Sequence, residues 1–244
     1  HYDFKKTITS PTQVLPNLIP PYLADLDPSW GEVPADNRFV SVDSANDNLP
    51  NMAIGRIPAV TAADVSKVVN KVITYENPNT NPGGSWQSRA IYVADDCRDV
   101  AGNFHVYNNT LINDWLDPTY ESRTAYFDPT NNCPYPDYQT SDAMRTAIRA
   151  EQNQGAFFMQ WFGHGSEYRW GHYFSLYNFN DPAALNPNTN MAFSMANACL
   201  SGYFVVASIF NNKQSMGENM VLADGRGSIA DLSPSGLHTG YDLM

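Results

Sequence analysis

Ala156-Phe157-Phe158-Met159-Gln160-Trp161-Phe162, followed by Gly163-His164-Gly165-Ser166-Glu167, is the stretch on which the fold reading turns. The apolar run is too short for a helix, and glycines close it, which reads as a buried strand. A second run, Met191-Ala192-Phe193-Ser194-Met195-Ala196-Asn197-Ala198, leads into Cys199-Leu200-Ser201-Gly202. Parallel neighbours in an open α/β sheet would deliver His164 and Cys199 together to the carboxyl edge, where such sheets place their chemistry. Taken singly, a cysteine often only packs, and a histidine after a strand is often a hydrogen-bonded turn residue. Together they form the minimum apparatus for covalent catalysis by a thiol. Gly163 and Gly165 flank the histidine, and small residues surround the cysteine. Such residues let a substrate backbone approach closely and leave N–H groups for an oxyanion, with Gly165 and Cys199 as the candidate donors.

Outward from these runs, strands alternate with helices, which predicts a mostly parallel sheet. Residues 1–50 are rich in Pro, Asp and Asn, with short apolar pieces at Val14-Leu15 and Phe39-Val40, and read as loops and short strands. Met52–Ile57 reads as a strand ending at Pro58. Thr61 reads as the N-cap of a helix to about Glu76, with Val65, Val68, Val69, Val72 and Ile73 on one face. The boundary signal is strongest from Asn77-Pro78 to Gly83-Gly84-Ser85. It divides the chain into a partial N-terminal α/β subdomain (1–84) and a catalytic subdomain (85–244). Within the latter, strands are expected at 90–94, 122–127 and 227–232. Helices are expected at about 104–116, from a Ser141 cap to about Gln152, at 181–185 and around 216–223.

The 244 residues are 43% hydrophobic and 13% aromatic, enough for a substantial core. The net charge of −11 argues against nucleic acid and anionic membrane surfaces. It is compatible with cationic substrates and with calcium. No apolar run is long enough to span a membrane. The chain starts at His1 without a methionine and ends abruptly at Met244, so a fragment or processed form is expected.

Four blocks, in order, carry a family resemblance. Gly163–Trp170 resembles the histidine motif of the gingipain family of cysteine peptidases, and Ala198-Cys199-Leu200-Ser201-Gly202-Tyr203-Phe204 resembles its nucleophile motif. Ile54-Gly55-Arg56-Ile57-Pro58-Ala59, with Thr61 and the helix ending in Tyr75-Glu76, is similar to the family's upstream stretch. Ser215-Met216-Gly217-Glu218 and Gly225–Ala230 fit the segment after the nucleophile. His1-Tyr2-Asp3-Phe4 looks like the continuation of a longer family sequence. The resemblance implies a caspase-like three-layer α/β sandwich and a cysteine endopeptidase, with Cys199 as nucleophile and His164 as proton donor. It also implies an acid that orients the histidine, at Asp95 or Asp96, both at the end of the strand over 90–94. A helix cap or a solvated pair is the competing reading of these two residues. An exported protein, secreted or at the cell surface and part of a larger multidomain chain, is implied as well. A protein or peptide substrate is expected, and no cofactor is required for the chemistry.

The stretch that carries the Arg-binding carboxylate in the best-known gingipains corresponds to Gly102-Asn103-Phe104-His105, which has none. Strict Arg specificity is therefore not expected unless another acid, such as Asp99 or Asp231, reaches the pocket. Phe104, His105, Trp170 and Ser201 are candidate pocket residues, with simple packing the alternative for Trp170. Cys97 and Cys133 read either as a disulfide, which suits an exported protein, or as two thiols. A metal site at His164 and His172 lacks a third ligand of suitable spacing. Asp43 and Asp47, with Asn46 and Asn48, could ligate a structural calcium, although a solvated Asn/Asp turn is the simpler reading. A transpeptidase, and a non-catalytic binding domain on the same fold, remain as alternatives.

Overall fold

The computed structural model describes residues 19–27, 31–44, 47, 49–205 and 214–237. The readings made at His1–Phe4, Val14-Leu15, Asn46, Asn48 and Met244 lie outside these residues. A short antiparallel hairpin opens the described chain, β1 (Leu23–Asp27) with β2 (Gly31–Pro34). Helix α1 (Ala62–Glu76) follows. The body of the fold alternates β3 (Arg89–Ala94), α2 (Phe104–Asp114), β4 (Glu121–Tyr126), α3 (Ser141–Gln154) and β5 (Phe158–Phe162). A small hairpin of β6 (Arg169–Trp170) and β7 (Tyr177–Asn178) precedes α4 (Asp181–Ala184), β8 (Phe193–Asn197), α5 (Met216–Leu222) and β9 (Ala230–Leu232).

Five strands form one sheet in the order β4-β3-β5-β8-β9, and every pairing is parallel. The period of two along β3 explains the layers. Ile91 and Val93 face a core shared with Met144 and Ile148 of α3 and Met216 and Met220 of α5. Ala90, Tyr92 and Ala94 face the opposite layer, where Phe104, Tyr107 and Leu111 of α2 pack. All six residues of β3 are buried, as expected for a strand covered on both faces. The result is the three-layer α/β sandwich with a parallel sheet.

Several local expectations are revised. Met52–Ile57 forms no strand; Ile54 and Ile57 are exposed, and Arg56 is held by groups outside any sheet, the Asp36 carboxylate at 2.6 Å and the Ile19 carbonyl at 2.9 Å. Helix α1 begins at Thr61 as read, with a full capping box to Asp64. Its buried side takes only part of the valine stripe. Val68 is buried and Val72 half-buried, but Val65, Val69 and Ile73 are exposed, and Lys71 is buried in their place. Lys71 reverses the hydropathy pattern because its ammonium caps the end of α5, donating to the carbonyls of Val221, Arg226 and Ser228 at 2.8 Å each. Helix α3 is capped by Thr140 rather than Ser141, the Thr140 hydroxyl accepting from the Ala143 N–H. Cys97 and Cys133 are joined in a disulfide. No helix among the described residues is long and apolar enough to cross a membrane.

Candidate active site

Strands β5 and β8 are direct neighbours, with Phe162 in register with Asn197. His164 and Cys199 therefore each lie two residues beyond paired strand ends, on one edge. Both line a single cleft of about 50 Å³, together with Ala101, Phe104, Gly163 and Asn197. Cys199 is half-buried. The chain turns sharply after it, with Leu200 in the left-handed region at φ 57°, a conformation costly for a residue with a Cβ. Cross-links hold that turn: the Leu200 N–H donates to the Gly236 carbonyl and the Gly202 N–H to the Pro234 carbonyl, each at 2.9 Å. Gly165 lies against the same turn. A Cβ there would meet the Ala198 Cβ at 2.7 Å and the Cys199 carbonyl at 3.0 Å, so only glycine fits.

Three carboxylates follow β3, and each does something different. Asp95 is buried and accepts from three backbone N–H groups: Asp96 at 3.0 Å, His172 at 3.1 Å and His164 at 3.4 Å. Burial pushes its carboxyl up, against the pull of those bonds and of the His164 imidazole. Asp96 instead pairs with Arg98 at 2.9 Å. The carboxylate on the imidazole is that of Asp99, whose Oδ1 lies 2.9 Å from His164 Nε2 and whose Oδ2 lies 3.2 Å from His172 Nδ1. Partial burial opposes ionisation of Asp99, but the Ala101 N–H and the two imidazoles outweigh it and hold the carboxyl below its ordinary range. The disulfide ties this loop at Cys97 to the loop at Cys133.

Read from the sequence, Asp99 is only a possible pocket acid and the His164–His172 pair lacks a third ligand; that the three side chains meet was missed. The chain doubles back between the two histidines: Gly165 bridges Trp170, and the Gly171 N–H donates to the His164 carbonyl at 2.9 Å. The imidazole rings end up 4.3 Å apart, centroid to centroid. The repeated dipeptide, Gly163-His164 and Gly171-His172, was the available signal.

The expected pocket residues separate. Phe104 meets the His164 ring edge-on at 5.8 Å and lines the cleft. Ser201 is buried in the turn, its hydroxyl donating to the Cys199 carbonyl at 3.4 Å. His105 is fully buried, bonded through Nε2 to the Phe127 carbonyl at 3.0 Å and stacked on Tyr126. Trp170 is packed flat against Trp161 in the core. These two are core residues rather than pocket walls, because each turns inward from its element. Asp231 is bound by the Ser194 and Ser233 hydroxyls and lines a different, larger cavity of about 350 Å³. Asp43 accepts from the Asn51 amide at 2.8 Å, and Asp47 from the Leu49 N–H at 2.9 Å. Neither belongs to a group of three His, Cys, Asp or Glu side chains close enough to share an ion among the described residues.

Three solved structures share the fold. One, titled "Structure of Protease", matches with a TM-score of 0.63 at 18% identity over 84% of this chain and 41% of its own. The crystal structure of the Arg-specific cysteine proteinase gingipain R matches with a TM-score of 0.59 at 20% identity, over 82% of this chain and 43% of its own. The complex of the Porphyromonas gingivalis RgpB pro- and mature domains matches at 0.61 and 19%, over 84% and 45%. The chain thus spans less than half the length of these structures. No curated protein matches it. The family model of peptidase family C25 matches residues 1–242. The chain belongs to peptidase family C25, the gingipain family of cysteine peptidases.

Proposed function

We propose that this chain carries the active site of an endopeptidase that cleaves protein or peptide substrates through an acyl-enzyme on Cys199. The observation that carries the reading is the meeting of His164 and Cys199 in one cleft at the ends of paired strands. Asp99 engages Nε2 of His164, which leaves Nδ1 as the ring nitrogen for proton transfer. In the proposed cycle, Nδ1 takes the Cys199 proton and the thiolate sulfur attacks the scissile carbonyl carbon. The N–H groups of Gly165 and Cys199 hold the oxyanion, each worth about 3 kcal/mol in such sites. Collapse of the tetrahedral intermediate breaks the C–N bond, and the imidazolium gives its proton to the leaving amine. Water, deprotonated by the imidazole, then hydrolyses the thioester and regenerates the thiol. Asp99 acts through His164 and is a positioning residue. Asp95 works one step further back, fixing the backbone of both histidines.

With Asp99 committed to two imidazoles and Asp231 to two hydroxyls, neither acid is left to meet a guanidinium in the cleft. The preference inferred is for an uncharged side chain before the scissile bond. Mass-spectrometric cleavage profiling on a peptide library tests both points. Cuts are expected with wild type and not with Cys199→Ala, and iodoacetamide should label Cys199 with parallel loss of activity. Full activity in Cys199→Ala would end the proposal, and a profile dominated by Arg would end the specificity argument.

A further inference from the structure

We propose that Asp99, His164 and His172 form a binding site for one divalent transition-metal ion, zinc foremost, and that its occupation switches the peptidase site off. The inhibitory part rests on the reading of His164 as the proton carrier; the binding part does not. The ligand atoms of the three side chains all lie within 4.8 Å of one another. A tetrahedral zinc with bonds of about 2.1 Å spaces its ligands about 3.4 Å apart. The Asp99 carboxylate already spans both rings, Oδ1 at 2.9 Å from His164 Nε2 and Oδ2 at 3.2 Å from His172 Nδ1, so the three side chains converge on one point of the sheet edge. Two imidazoles and one carboxylate suit zinc, nickel or copper rather than calcium or magnesium, which prefer all-oxygen sites. Water completes the fourth position.

The surroundings are those of a built site. One oxygen of buried Asp95 accepts both histidine backbone N–H groups, which fixes the spacing of the two main-chain segments. The disulfide at Cys97 braces the loop that carries Asp99. Access is open, since the His164 and His172 side chains are 32% and 40% exposed. On binding, the ion takes the Nε2 lone pair, and the single ring proton moves by exchange with solvent from Nε2 to Nδ1. Nδ1, now protonated, can no longer accept a proton from Cys199. The thiolate does not form, and acylation stops.

The test separates binding from inhibition. Cys199→Ala protein, which lacks the thiol as a competing ligand, should take up one zinc per chain by calorimetric titration. With Co²⁺ it should show the visible bands of a four-coordinate nitrogen and oxygen site. Adding His172→Gln, an exposed change that leaves the core intact, should weaken binding at least about tenfold. In the Cys199 protein, zinc should abolish cleavage and a chelator restore it. His172→Gln should blunt the inhibition when each protein is compared with its own metal-free rate. Failure of Cys199→Ala to bind one ion, equal affinity after His172→Gln, or activation by zinc would overturn the proposal. One-ion, His172-dependent binding by a protein with no metal-free peptidase activity would uphold the site and sink the peptidase reading instead.

Discussion

Asp99→Asn should lower kcat/KM about 10- to 100-fold while leaving the fold in place. The carboxylate touches His164 Nε2 at 2.9 Å, and its side chain is only 9% exposed, so water cannot readily replace it. A hydrogen bond to a charged group contributes about 1.5–3 kcal/mol, and each ~1.4 kcal/mol is a decade in rate. Asparagine keeps the size of the side chain and can still accept from the Ala101 N–H, now 2.8 Å from Oδ1, so the loop should hold its shape. The loss should therefore fall on chemistry, with the melting temperature little changed. Two assays bear on it: kcat/KM with a peptide chosen from the cleavage profile, and the rate constant for alkylation of Cys199 by iodoacetamide, which follows the thiolate population. The comparison variant is Asp96→Asn. Asp96 forms a solvent-screened surface pair with Arg98, and its loss should change kcat/KM far less than the loss of the Asp99 carboxylate. Activity of Asp99→Asn within twofold of wild type, or an equal drop in Asp96→Asn, would refute the assignment of Asp99 as the carboxylate that orients the imidazole.

Burial pushes the Glu218 carboxyl up to about 7, against the Ser215 N–H and hydroxyl that bind it. Between its ordinary pKa near 4.5 and 7 the folded state keeps a proton that the unfolded chain releases, so stability falls as pH rises through this window. The drop is up to about 3 kcal/mol, at about 1.36 kcal/mol for each pH unit. Glu218→Gln preserves the capping box of α5 and should flatten the slope in urea unfolding at pH 5 and pH 7.5; an unchanged slope would show that Glu218 is not its source. The Cys97–Cys133 bridge closes a loop with a sequence separation of 36, worth about 4 kcal/mol by chain entropy. Replacing both cysteines with serine should lower stability by an amount of that order, and titration of the denatured, unreduced chain should find one thiol where an unbridged chain would show three.

The parts of the fold that were legible in the sequence are those fixed by local periodicity. Ala156–Phe162 and Met191–Ala198 had to be buried strands, and a parallel sheet had to carry the residues after both strands to one edge; β5 and β8 do so. The same logic placed the buried face of α1 only in part, keeping Val68 but missing Lys71, because hydropathy scores a lysine as a surface residue and cannot know that Lys71 has carbonyls waiting at the end of α5. It also assigned Trp170 and His105 toward a pocket, since an aromatic near a motif looks the same in sequence whether it faces a ligand or stacks on Trp161 or Tyr126.

The histidine's carboxylate was harder still. Strand ends are set by pairing, but a carboxylate's direction is set by the loop beyond, and here three acids within five residues compete. Asp95, nearest the strand, is drawn inward by three backbone N–H groups. Asp96 is taken by Arg98. Only Asp99, returned toward the edge by a turn in which the Gly102 N–H donates to its own carbonyl at 3.1 Å, keeps its carboxylate for the imidazoles. Sequence position singled out the two acids next to the strand and not the one that touches the imidazole, because what separates the three acids is which N–H or guanidinium claims each one first. That is a property of tertiary contacts with His164, His172 and Arg98, and no spacing rule along the chain encodes it.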